Sequence, residues 1–203
     1  MATECNPANI HWLCNLATLI HERAALERGL RRGGRVPVRA SSRGPYGDRT
    51  AAELATLPES KFLVHKQSYA FNIHTKLKDT KLSDAVPDRI CSFWNTDGGT
   101  LLIGVEDRTG RVVGIGDDLK IFRDLNGLVK SISDKMHQDI GVAAPSIDVR
   151  SEEACSETVL RIDVPRWRHA VVQKRLLLVR VNNTTQELKG ELVQRYLTSH
   201  WRT

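Results

Sequence analysis

The 203-residue chain is poor in aromatic residues, which make up 5% of it, and it holds only four cysteines. Cys5, Cys14, Cys91 and Cys155 form no Cys-x-x-Cys pair. Scattered thiols of this kind exclude a disulfide framework and point to a reducing, intracellular setting, cytoplasmic or nuclear. No apolar run approaches the roughly 20 residues of a membrane span; Asn15, His21 and Glu22 interrupt the best candidate. Glu4, Glu22 and Glu27 come too early for a mitochondrial leader. A Gly-x-x-x-x-Gly-Lys phosphate loop is missing, so "GIGDD" stands as a lone Gly-x-Gly and nucleotide hydrolysis has no support. His11 and Cys14 share helical spacing but lack two further ligands, which excludes a structural zinc there.

The chain does carry an excess of positive charge, and that excess has an address. Seven of the 30 lysines and arginines but one of the 24 acids fall in residues 28–49, so the remaining chain holds 23 of each. The net charge of +6 therefore belongs to "RGLRRGGRVPVRASSRGPYGDR", and binding of a polyanion elsewhere needs local clusters. Residues 9–30 repeat Leu13, Leu16, Ala17, Ile20 and Ala24 at helical spacing, and residues 31–49 read as a Gly, Pro, Ser and Arg linker. Residues 1–50 are thus expected as a helix and basic tether, and 51–203 as the folded domain.

Within that domain, "TAAELATLP" reads as a short helix stopped by Pro58, and "ESKFLVHK" (59–66) as a strand. Residues 82–96 read as a helix capped near Ser83 or Asp84, with Pro87 in its first turn. Thr100–Val105 is continuously apolar, which predicts a central strand. Arg111–Ile115 is expected to return beside it as a hairpin. A helix over 117–140, with a break near Gly127, precedes alternating strands over 146–153, 156–166 and 175–183 and a last helix over 189–201. The order predicts an α+β fold, a mixed β-sheet flanked by helices. Between the helix and the central strand, one of Gly98 and Gly99 is expected to be left-handed and the other to permit close approach.

"ICSFWNTDGGTLLIGVEDRTGRVVGI" carries more than fold information. Its Phe93, Asn95, Thr96, Gly98, Gly99, Leu102, Ile103, Gly104, Val105, Asp107 and Gly114 resemble the signature of the AlbA-2 (Schlafen-type) domain family. "ESKFLVHK" is similar to that family's Glu-Ser-x-x-Leu-Glu-Phe-Lys strand, and "LLLVRVNNTTQELKGELVQRYL" to its closing strand, turn and helix. The resemblance covers roughly residues 57–198. It implies the AlbA-2/Schlafen-like fold and a nucleic-acid-associated function. In the Schlafen branch it also implies a Mg2+- or Mn2+-dependent endoribonuclease acting on structured RNA such as transfer RNA, whose site uses three carboxylates.

Carried over by position, Glu59 and Asp107 match two of these carboxylates as candidate catalytic and metal-binding residues. Lys66 matches a lysine able to pair with phosphate. The other carboxylate falls on Val64, which offers no oxygen, and a phenylalanine falls on His65. Glu106, adjacent to Asp107, is expected to point away, and Glu53 lies too far upstream to serve. An impaired or inactive nuclease that still binds RNA or DNA is the leading reading, because phosphate contacts need only bases and amides. Two clusters suit such contacts: Lys61, Lys66, Lys76, Lys78 and Lys81, and the "RWRHAVVQKR" stretch with Arg166, Arg168, His169, Lys174 and Arg175 around Trp167. An active metal-dependent endoribonuclease and a protein-interaction adaptor are the alternatives. The resemblance implies a two-lobed groove, so a homodimer or a heteromer with a related subunit is the expected assembly.

Overall fold

Thr50 begins the first helix by satisfying amides that a helix start leaves bare. Its side chain accepts from the Glu53 amide, while the Glu53 carboxylate accepts the Thr50 amide at 2.7 Å, a reciprocal capping box that opens α1 (Ala51–Ala55). Glu53 is therefore a capping residue. The computed structural model describes residues 44–141 and 147–201. The helix expected over 9–30, His11, Cys14 and most of the basic tether lie outside the described residues.

From α1 the chain runs through β1 (Leu63–Lys66), a hairpin of β2 (Phe71–Asn72) and β3 (Leu77–Lys78), α2 (Thr80–Trp94) and β4 (Gly99–Ile103). It continues through α3 (Gly116–Phe122), α4 (Leu125–Ile140), β5 (Asp148–Ala154), β6 (Glu157–Val164), β7 (Leu177–Val181), β8 (Thr184–Leu188) and α5 (Glu191–His200). The main sheet has the order β1-β4-β6-β5. β1 is parallel to β4, with Lys66 opposite Ile103, and the other neighbours are antiparallel. This is the expected α+β fold with a mixed sheet, and β4 is central, as its unbroken apolar run requires.

Alternation on the strands divides the core in two. Val64, Leu101, Ile103, Leu160 and Ile162 pack with Val86, Ile90, Phe93 and Trp94 of α2 and with Leu128, Ile132 and Met136 of α4. On the opposite face Leu63, Leu102 and Val159 pack with Leu54 of α1.

Three local expectations are corrected. α2 starts earlier, because Asp79 caps it by accepting the Lys81 amide at 2.9 Å, so Pro87 sits in the helix interior rather than in its first turn. The helix over 117–140 breaks at Arg123 (φ +72), where Asp124 caps α4 by accepting the Gly127 amide at 2.7 Å. Residues 111–115 form no strand: Gly104 at φ +99 turns the chain out of the sheet, leaving one bridge, Val105 to Val112. No helix among the described residues is long and apolar enough to cross a membrane.

Candidate functional site

The junction of α2 and β4 aims the site. Gly98 is left-handed at φ +79, and a Cβ on Gly99 would lie 2.2 Å from the Phe93 ring. The helix can thus fold directly back onto the sheet, with a ring rather than backbone filling the space. β4 then delivers the 106–110 turn beside the end of β1. There Asp107 Oδ1 accepts the Gln67 amide at 3.2 Å, so the first strand and the turn meet. Glu106 braces its own turn, accepting from Thr109 Oγ1 and from Arg111 Nη2, both at 2.5 Å. Those bonds hold its carboxyl below the ordinary range. Asp107 ties the turn to the end of β1 and Glu106 shapes the turn itself, and both lie at the groove.

A groove of about 520 Å³ opens at this meeting point, lined by Lys66, Phe71, Asn72, Ile73, His74 and the 106–109 turn among others. Asp118 holds one wall in place. It is 1% exposed and accepts Ser68 Oγ and the amides of Tyr69, Ala70 and Phe71 at 2.8–3.1 Å. A carboxylate with this many charge-assisted bonds fixes the start of the β2–β3 hairpin.

Glu59 lies just before β1 and is half-buried, with Oε1 accepting the His65 amide at 2.9 Å. Burial pushes its carboxyl up. The His65 amide opposes this, nearby Asp107 adds to it, and Arg180 and Arg89 pull it back. Burial likewise pushes the Lys66 ammonium down, against the attraction of Asp107, while Arg89 and Glu59 also act on it. Glu59, Lys66, Asp107, Arg89 and Arg180 thus form one electrostatic neighbourhood.

Sequence reasoning missed the two arginines. Arg89 rides on α2. Arg180 sits on β7 at 4% exposure, with Nη2 donating to the Ser60 carbonyl at 2.8 Å and its guanidinium 5.4 Å from the Phe93 ring centre. Burial and the like charge of Arg89 lower its pKa to about 10. An arginine inside the apolar run "LLLVRV" was the available signal, since such a residue needs partners to be buried.

Val64 is 4% exposed and belongs to the main core, packed in the cluster that includes Val86 and Ile90. Its position lacks an oxygen and is also dry. His65 is 2% exposed, and burial lowers its pKa.

A hard divalent cation wants a shell of about six oxygens. Here two carboxylates, each already holding a backbone amide, stand among three cationic side chains and a valine. Among the described residues no three His, Cys, Asp or Glu side chains gather in a group able to hold a metal ion. This donor set does not fit Mg2+ or Mn2+.

The predicted basic residues separate. Lys66 lines the groove, and Lys76 and Lys78 stand on the adjacent hairpin with Nζ 5.9 Å and 5.1 Å from the Phe71 and Phe122 ring centres. Lys61 instead pairs with Asp97 at 3.1 Å, and Lys174 with Asp139 at 2.9 Å. Arg166 donates to the His200 carbonyl at 2.8 Å, while Arg168, His169 and Arg175 are exposed. Trp167 is partly buried against the main core and accepts the Trp201 indole N–H on its carbonyl. A second hollow of about 450 Å³ between α2 and α4 also holds lysines, but Lys130 and Lys135 there are bound by Asp134 and Asp84 at 2.6 and 2.5 Å.

The family described as Schlafen, AlbA_2 matches residues 59–189. Among solved structures, the DIP2311 protein from Corynebacterium diphtheriae is similar in fold, with a TM-score of 0.52 and 20% identity. That match covers 70% of this chain and 28% of the DIP2311 chain, so this chain spans less than a third of it. The N-terminal domain of a RecG-related protein from Nitrosomonas europaea is also similar, at TM-score 0.43 and 21% identity over 62% of this chain and 81% of that one. No curated protein matches.

Proposed function

The chain belongs to the Schlafen AlbA_2 family, and from that premise and the lysine on its groove we propose a nucleic-acid-binding, RNA-binding module that holds phosphate without a metal ion. The carrying observation is the placement of Lys66 on the groove where the end of β1 meets the 106–109 turn, with Arg89 and Arg180 acting on the adjacent Glu59. Lys66 is the contact residue on the groove, and Arg89 adds charge beside it. Arg180 is a positioning residue that holds the Ser60 carbonyl and so the turn carrying Glu59. Glu59 and Asp107 keep their amide bonds and fix β1 against the 106–110 turn. Hydrolysis is not part of this reading, because activating water at a phosphodiester by the family's route asks for hard-cation ligands that this donor set lacks. A second copy or a related subunit is proposed to supply the facing wall of the groove.

One experiment separates this reading from binding by the basic tether. In the full chain, Arg28, Arg31, Arg32, Arg35, Arg39 and Arg43 are replaced by serine, and affinity for a fluorescein-labelled RNA is read by anisotropy across a KCl series. The expected result is a loss of less than about tenfold with a shallower salt slope, since some phosphate contacts remain. Light scattering on the same sample should give a mass above the monomer. Complete loss of binding would assign it to the tether, and a strictly monomeric mass would remove the second subunit.

A further inference from the structure

We propose that the β2–β3 hairpin is a wedge for unpaired nucleobases, set beside the phosphate-holding groove; this rests on the nucleic-acid reading above. The hairpin is held stiffly at both ends. At its base Asp118 collects the amides of Tyr69, Ala70 and Phe71, and the Asp79 amide donates to the Ala70 carbonyl at 2.7 Å. At its tip Asn72 Oδ1 accepts the His74 and Thr75 amides at 3.0 and 3.2 Å, and the Asn72 carbonyl accepts the Lys76 amide at 2.8 Å. Asn72 Nδ2 also donates to Asp79 Oδ2 at 3.0 Å, which ties the tip back to the cap of α2.

This stiff element presents aliphatic side chains to water. Leu77 is 68% exposed and Ile73 37%, although the hairpin has only two residues in each strand. Ile73 lines the groove together with Phe71, His74 and Lys66, facing the 106–109 turn, and Leu77 stands on the same hairpin. Lys66 lines the groove beside Ile73, and Lys76 Nζ stands 5.9 Å from the ring centre of Phe71, another lining residue. Aliphatic side chains bordered by lysines suit a ligand with flat apolar faces strung on an anionic backbone. Nucleobases meet that description, and aliphatic wedges enter between bases in known minor-groove complexes. Unstacking costs least where bases are already unpaired, so a preformed wedge favours single strands and loops over duplex.

The test uses the full chain and one sequence presented as single-stranded RNA, single-stranded DNA and RNA duplex, with anisotropy read for wild type and for Ile73→Ser/Leu77→Ser. A 2-aminopurine in the single strands reports base contact directly. Wild type is expected to prefer both single strands over duplex, and the variant to lose about tenfold on single strands while duplex binding stays within twofold. Because both side chains are exposed, the variant's melting temperature should match wild type, and Ile73→Phe/Leu77→Phe should restore single-strand affinity. A variant that keeps the single-strand preference, or loses all three ligands equally, overturns the wedge and leaves the phosphate reading standing. A variant that instead lowers the oligomeric mass reassigns the pair to a subunit interface. Absence of binding by wild type to any of the three would reject the underlying reading.

Discussion

Arg161→Ala is expected to cost about 3–5 kcal/mol of stability, the range for stripping one partner from a buried ion pair. Arg161 and Asp163 are both 0% exposed, with Nε donating to Oδ2 at 2.9 Å. Asp163 also takes Arg150 Nη2 at 2.8 Å and Thr100 Oγ1 at 2.6 Å, which links β4, β5 and β6 across the sheet. The rest of the Arg161 guanidinium reaches out of the sheet, donating to the Tyr46 carbonyl at 2.7 Å and to that of Arg49. Truncation would leave Asp163 short of charge and two partly buried carbonyls short of donors. The segment leading into α1 would then lose its hold. Thermal melting should fall by about 10 °C or more for a chain of this size. Arg161→Met/Asp163→Leu should recover part of that loss, because neither charge is left unpaired. A melting temperature for Arg161→Ala within about 2 °C of wild type would show that the pair contributes little.

Reversing the charge of the hollow should have the largest effect on binding. Lys66→Glu/Arg89→Glu reverses two of the positive charges that act on Glu59 and so adds two anions beside the groove. Each charged hydrogen bond is worth about 1.5–3 kcal/mol, so affinity for RNA should fall on the order of a hundredfold or more. Lys189→Glu, at an exposed position outside the groove, serves as the control and should change affinity by less than about threefold. Equal losses in the two proteins would show that the molecule senses overall charge rather than this hollow. Circular dichroism separates either result from unfolding, since Lys66 and Arg89 are only partly buried.

The sequence made some of this legible and hid the rest for identifiable reasons. β4 could be read from a run of apolar residues that only a doubly covered strand can carry, and the Gly98–Gly99 junction from the turn such a strand needs. β2 and β3 could not, because two-residue strands such as Phe71–Asn72 have no period to detect and are held by Asp118, 40 residues and more away. The cap of α2 was expected near Ser83 or Asp84, whereas Asp79 takes that place, because composition does not choose among closely spaced residues able to accept an amide. The missing oxygen at Val64 was visible, whereas its place in the core depends on α2 packing over β1. Arg89 and Arg180 stayed hidden because they meet Glu59 only after α2 and β7 fold against the entry to β1. Trp167 is a mixed case: an aromatic residue among arginines invites a stacking role, and in the fold it is partly buried against the edge of the core.

RNA affinity and RNA integrity in EDTA, compared with Mn2+, bear most directly on the idea that Lys66 and Arg89 replace a metal ion at this site. With the full-length protein and labelled transfer RNA, equal affinity within about twofold in the two buffers is expected, with the RNA uncut after prolonged incubation. Cleavage in Mn2+ that Asp107→Ala abolishes would contradict it, because Glu59 and Asp107 would then hold a working cation.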